Sequence, residues 1–179
     1  MQIGLGDSFI ADSFSCRINK GTHKAISRFC NFSRKVSKNN TKTCWILKCD
    51  IKKFFASIDQ FMKHKLKVKY YIRYADDFVI FSDNKDWLEK LTSQIQEFLQ
   101  NKLKLELHPN KVFIKTLVSG VDFLGWINFA DYRILRTTTK RRMLKRIKEN
   151  PKSETINSYL GLLKHGDTQK IKKLILGSN

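Results

Sequence analysis

The sequence is short of acidic residues: 16 Asp and Glu stand against 35 Lys and Arg in 179 residues, a formal net charge of +19. Solubility alone requires far less, so a polyanionic partner is expected. Nucleic acid comes first and an anionic membrane surface second, because both attract clustered cations through the same long-range field. No apolar run approaches the roughly 18 residues needed to cross a bilayer, and no leader pattern opens the chain, so a soluble cytoplasmic protein is expected. Cysteine is scarce too. Cys16, Cys30, Cys44 and Cys49 lie 14, 14 and 5 apart, with no CxxC pair and no histidine at zinc-finger spacing. That favours free thiols in a reducing compartment over a metal site. There is no internal repeat and no low-complexity tract.

The length suits one main domain with a C-terminal extension. Before residue 42 no clean period emerges, although Thr22 can cap a short helix carrying Ile26, Phe29 and Cys30. SKNNTKT (37–43) reads as an exposed loop, and CWILKCDIKKFF (44–55) as an apolar strand ending in Asp50. Ser57 can cap a helix with Phe61, Met62 and Leu66 on one side. A helix over 86–100 places Leu88, Leu91, Ile95, Phe98 and Leu99 on one buried stripe, and LKLEL (103–107) alternates like a half-buried strand up to Pro109. Short strands are expected around 111–117 and 121–127. From Thr137 the pattern is helical, broken at Pro151, with Ser153 and Asp167 as candidate caps. Residues 131–179 hold 13 Lys/Arg against 4 Asp/Glu, a net +9.

The stretch YIRYADDFVIFS (71–82) sets two adjacent carboxylates, Asp76 and Asp77, inside an apolar run. Burying them costs desolvation, and each raises the pKa of the other. A hairpin tip resolves this in either of two ways. Both acids face water in a plain turn, or they face a divalent cation whose charge reverses the cost. Asp50 supplies a third acid at another strand end, and side-by-side pairing of the two strands would bring it close to Asp76, across about one strand spacing, ~4.8 Å. Three such carboxylates suit two hard cations about 4 Å apart, the arrangement used for in-line displacement at phosphorus.

KCDIKKFFASID (48–59) and YIRYADDF (71–78) resemble the two metal-binding motifs of reverse transcriptases, in particular the bacterial group II intron, retron and diversity-generating retroelement enzymes. FIADSFSCRINKGTHKAISRF (9–29) is similar to their finger segment, LELHPNKVFI (105–114) to a later palm motif, GVDFLGW (120–126) to the primer-grip hairpin and SYLGLLKHGDTQKIKKLI (158–175) to thumb helices. The resemblance implies an α+β fold, the right-hand polymerase palm of antiparallel sheet backed by helices. Partial fingers would occupy 1–43, palm 44–130 and a basic helical thumb-like segment 131–179.

It also implies RNA-directed DNA polymerisation, with an RNA template, a primer and deoxynucleoside triphosphates as partners and two Mg²⁺ ions, or Mn²⁺ in their place, as cofactors. Asp50, Asp76, Asp77 and the Ile51 carbonyl would hold metal. Phe55 would exclude a ribose 2′-hydroxyl, and Lys111 would stand near the triphosphate. Arg17 would touch template phosphate or nucleotide. Each has a plainer reading: a core Phe55, a solvated Lys111, and an Arg17 bracing the loop around Gly21. Arg73 is expected to meet an acid or phosphate, while Phe123 and Trp126 are expected to pack their hairpin.

Two departures from the family pattern stand out. Upstream finger motifs are absent from the chain, and only QFMKHKLKVK (60–69) separates the two acidic motifs, where the family places several tens of residues. Loss of palm helices there is expected to bare an apolar sheet face, inviting a homo-oligomer or an accessory protein. The alternative to a polymerase is a nucleic-acid-binding remnant that cannot seat a nucleotide.

Overall fold

The computed structural model describes residues 11–15, 20–51 and 56–177. They form two compact units that divide after Leu117. The segments before and after residue 43 share the first unit, and the hairpin at 121–128 lies in the second.

The first unit is built on a four-stranded antiparallel sheet in the order β2-β3-β1-β4: β1 (Trp45–Asp50), β2 (Tyr71–Tyr74), β3 (Asp77–Ser82) and β4 (Phe113–Thr116). Its strands are rich in aromatic and β-branched residues, which fit a pleated surface buried on both sides. Alternation along β1 and β3 sends Leu47, Cys49, Phe78 and Ile80 to one face, where they join Leu88, Leu91, Ile95 and Leu99 of the following helix in one core. That helix, α3 (Lys85–Phe98), starts where the Asn84 side chain accepts a hydrogen bond from the Trp87 amide. On the opposite face α1 (Thr22–Val36) lays Phe29 edge-on against Phe81, with ring centroids 4.9 Å apart, and Phe32 against Tyr70 at 5.2 Å.

The helix expected at Thr22 is thus real and runs for 15 residues, but Gly21 and not Thr22 is its N-cap. Ser57 likewise lies inside α2 (Ala56–Gln60) rather than capping it. α2 widens into a π-helical turn at Phe61–Lys65, and α3 does the same at Leu99–Leu103. Phe61 and Phe98 stack where these turns begin, 3.9 Å between centroids and 7° from parallel.

Two expectations are corrected here. LKLEL is not a strand: Leu103 ends the second π turn, Lys104 is left-handed with φ 53°, and only Leu107 makes a bridge, to Ile51. The alternation was produced by a helix end followed by a loop. Nor is an apolar sheet face bare among the described residues. α1 and α3 cover the two faces, and the exposed large apolar side chains, such as Val118 and Leu176, lie off this sheet. The structural reason to expect a homo-oligomer or accessory protein on this sheet falls away.

The second unit has a three-stranded antiparallel sheet, β5 (Val121–Phe123), β6 (Trp126–Asn128) and β7 (Arg133–Leu135), followed by α4 (Thr137–Glu149), α5 (Ser153–Leu163) and α6 (Gln169–Leu176). Leu124 and Gly125, both left-handed at φ 53° and 83°, join β5 to β6 as a two-residue hairpin loop requires. Phe123 and Trp126 are buried, as expected for packing residues. Gly166, between α5 and α6, lies so close to the Trp126 ring and the Arg133 carbonyl that a Cβ has no room. The expected caps differ again: Lys152 and Thr168 take those positions in place of Ser153 and Asp167.

Under the β2–β3 hairpin lies a buried ion pair. Arg73 donates from Nε to Asp59 Oδ1 and from its second terminal nitrogen to Asp59 Oδ2, both at 2.7 Å, with the two side chains 3% and 0% exposed. Tyr71 donates to the same carboxylate at 2.8 Å, and Arg73 also donates to the Ala75 carbonyl and the Ser13 hydroxyl. Arg73 therefore meets an acid, one of the two partners expected for it. Removing one member strands the other charge in a dry interior, so Asp59→Ala should cost about 3–5 kcal/mol. Urea unfolding measures this, and a loss under about 1 kcal/mol, the level of an exposed pair, would contradict the assignment.

Candidate active site

The tip of the β2–β3 hairpin is Ala75–Asp76, with Ala75 left-handed at φ 54°, and β3 begins at Asp77. The adjacent acids therefore stand at a chain reversal, Asp76 exposed and Asp77 half-buried. β1 pairs antiparallel with β3 in a register that sets Asp50 directly opposite Asp77. Opposed residues in an antiparallel pair point to the same face, so both carboxylates share the face that α1 partly covers. The Ile51 amide donates to the Asp76 carbonyl at 3.1 Å, which ties the end of β1 to the hairpin tip. The structure thus brings Asp50, Ile51, Asp76 and Asp77 to one end of one sheet.

Lys111 joins them. The His108 amide donates to the Asp50 carbonyl at 3.2 Å and the turn Pro109–Lys111 follows, so Lys111 Nζ reaches Asp50 Oδ2 at 2.8 Å. That hydrogen bond, with the Asp50 charge behind it, raises the lysine pKa above its ordinary value. The Lys111 side chain stays 53% exposed. Phe55 and Arg17 lie outside the described residues.

Lys48 is the member that sequence reasoning missed. Two residues before Asp50 on the same strand face, its Nζ stands 3.3 Å from Asp77 Oδ1. The signal was available, since residues i and i+2 of a strand share a face. The contact is not aligned as a hydrogen bond, so Asp77 Oδ1 is buried without a hydrogen-bond partner. Burial raises the Asp77 pKa, Lys48 pulls it down, and Asp50 and Asp76 push it further up, with a net rise above 3.8.

Such a donor set, carboxylate oxygens of which Asp77 Oδ1 lacks a hydrogen-bond partner, is hard-ligand chemistry of the kind divalent cations take. The described residues gather no closed cage of three or more metal-binding side chains. In its place two lysine ammonium groups carry the counter-charge. The thiols are of another kind: burial raises Cys44 to about 12 and Cys49 higher still.

Residues 59–128 match the family model described as reverse transcriptase (RNA-dependent DNA polymerase). Over this stretch the chain is similar to reverse transcriptases. Over 98 residues, 54% of the chain, it is 36% identical to the group II intron-encoded protein LtrA of Lactococcus lactis subsp. cremoris, with the same figures for LtrA of strain MG1363. The match spans 15% of the length of those proteins. The reverse transcriptase match takes in Asp76, Asp77 and Lys111, whereas Asp50 and Ile51 precede it and are joined to them by strand pairing. No helix among the described residues is long and apolar enough to cross a membrane.

The raised Asp77 pKa has a sign that can be tested. A carboxyl that binds its proton more tightly folded than unfolded lowers stability while ionised, and that penalty disappears as pH falls through the folded value. Asp77→Asn should therefore shift the urea midpoint upward at pH 7, and the gain should shrink toward acid pH. A midpoint that falls at pH 7 would show that the Lys48 pair outweighs desolvation.

Proposed function

We propose that the four-stranded sheet of the first unit belongs to the palm of an RNA-directed DNA polymerase of the group II intron type, adding deoxynucleotides to a primer 3′-hydroxyl on an RNA template. The observation that carries this reading is the β1–β3 register, with Asp50 opposite Asp77 and Asp76 at the adjoining tip. The partial fingers before residue 44 and the basic thumb-like helices after residue 130 complete the proposed hand.

Asp50, Asp76 and Asp77, with the Ile51 carbonyl, would hold two divalent cations, most simply Mg²⁺. When bound, these lower the pKa of the attacking hydroxyl and offset charge on the leaving oxygens. The primer oxygen forms a bond to the α-phosphorus as the α–β bridging bond breaks and pyrophosphate leaves. Asp50 and Asp77 hold the reacting end against the sheet. Lys111, exposed and tethered only through Asp50 in this arrangement, moves its Nζ toward the triphosphate once the Asp50 charge is met otherwise, and a cation there stabilises the departing pyrophosphate. Lys48 keeps Asp77 ionised. Phe55 and Arg17 retain their proposed roles at the sugar and at template phosphate.

The ten-residue link from Gln60 to Lys69 favours a second reading, a palm that binds nucleic acid without seating a nucleotide. Primer extension on primed RNA with Mg²⁺ or Mn²⁺ separates the two. Polymerisation predicts extension that Asp76→Asn abolishes, roughly a thousandfold or more if a full transition-state interaction is lost. A folded chain that binds primed RNA but never extends it would establish the second reading.

A further inference from the structure

α1 carries chemistry that the acidic site does not use. Its apolar residues face the sheet, while Lys24, Arg28, Asn31 and Lys35, continued by Lys38 just past the helix end, recur at spacings of four, three, four and three. That periodicity draws one stripe along a helix. The stripe lies in a chain of three open clefts of about 300, 390 and 470 Å³. The first two share Arg28 and Asn31, and the last two share Lys35 and Lys38, so the clefts join end to end.

The last cleft has a different character. Lys67 and Lys69 add to Lys35 and Lys38, and its wall includes Tyr70 and Trp87. Trp87 is 37% exposed at the first turn of α3, and Lys69 lies over the Tyr70 ring at 5.4 Å. Among the described residues no acid pairs with Lys35, Lys38, Lys67 or Lys69 within ion-pair distance, whereas Arg28 is engaged by Asp12 at 2.7 Å. Four lysines and one acid, Asp83, thus line a cleft that also holds an exposed indole, a surface that suits an anion carrying flat apolar rings.

The track has two distinct ends. At one end Thr22 donates to the Tyr74 hydroxyl at 3.1 Å, next to the acidic hairpin tip. At the other, the Trp87 cleft sits past Ser82, five residues along β3 from Asp77, or roughly 16 Å away. From Lys24 to Lys38 the stripe spans about 20 Å, the length of on the order of six nucleotides at 3.4 Å per phosphate.

We propose that the α1 stripe and the Trp87 cleft form a binding track for a single nucleic-acid strand, separate from the carboxylates, with the lysines on successive phosphates and a base stacked on Trp87. An alternating row of phosphate and base matches a lysine row ending in aromatic rings, the combination by which single strands are held without sequence preference. A lipid headgroup surface would meet the lysines but would give Trp87 no stacking partner. The track does not depend on polymerase activity, although it would supply such an enzyme with a holding site for template beyond the reaction centre.

The test is fluorescence anisotropy with a labelled oligouridylate and its deoxy counterpart over a salt series, using the whole chain. All the substituted residues are exposed or edge positions, and far-UV circular dichroism checks folding. Lys67→Gln with Lys69→Gln should weaken binding and reduce the slope of log affinity against log salt by about 1.4, two phosphates at about 0.7 each. Trp87→Ala should weaken binding about tenfold with the slope unchanged. Strand binding that survives both track substitutions would overturn the proposal, as would equal losses for the oligonucleotides and for phosphatidylserine vesicles in the Trp87 variant. Loss of extension in Asp76→Asn with the track results intact would leave the two readings independent.

Discussion

The buried pair between Arg73 and Asp59 is the contact on which the acidic site rests. Its guanidinium reaches four ways, to both oxygens of Asp59, to the Ser13 hydroxyl and to the carbonyl of Ala75 at the hairpin turn. Asp59 belongs to α2, so one planar cation ties that helix, the edge segment around Ser13 and the chain reversal together. Arginine suits this because its donors leave in a fixed fork that a carboxylate can meet twice. The pair lies on the α3 side of the sheet and the carboxylates of the candidate site on the α1 side. The turn is thereby held from beneath while its acids stay accessible.

Above that brace Asp50 and Asp77 each have one lysine. Lys111 stands exposed beside Asp50, whereas Lys48 and Asp77 are largely buried together. The excess positive charge is placed elsewhere, on the exposed side of α1, around the Trp87 cleft and, in the second unit, along α4 with its run of Lys and Arg. Acids are thus gathered at one sheet end and cations spread along helices.

Much of this was legible in the residues. The hairpin under YADD and the stripe of α3 follow from alternation, helical spacing and the cost of buried charge, while the strand register sets Asp50 opposite Asp77 and not, as expected, beside Asp76. Asp59 was not legible as a structural anchor, because an acid in SIDQFM reads equally as a solvated helix residue until β2 brings Arg73 over it. LKLEL deceived for a related reason: alternation over five residues is also what a helix end followed by a left-handed lysine produces. The caps at Thr22, Ser153 and Asp167 failed by one residue each, which is the usual scale of uncertainty at helix ends. Lys48 was readable and overlooked, its strand parity with Asp50 being a matter of counting by two.

The two π-helical turns also bear on how this chain can change length. Phe61 and Phe98 lie face to face because α2 and α3 each widen by a residue at the stacking level. Deleting one residue from either turn would rotate everything beyond it by about 100° and part the rings. Insertions and deletions are therefore tolerable in the 37–43 loop, whose exposed left-handed residues touch no core, and are confined by this aromatic pair across the short span between the acidic motifs. The brevity of that span is locked into the packing of the core.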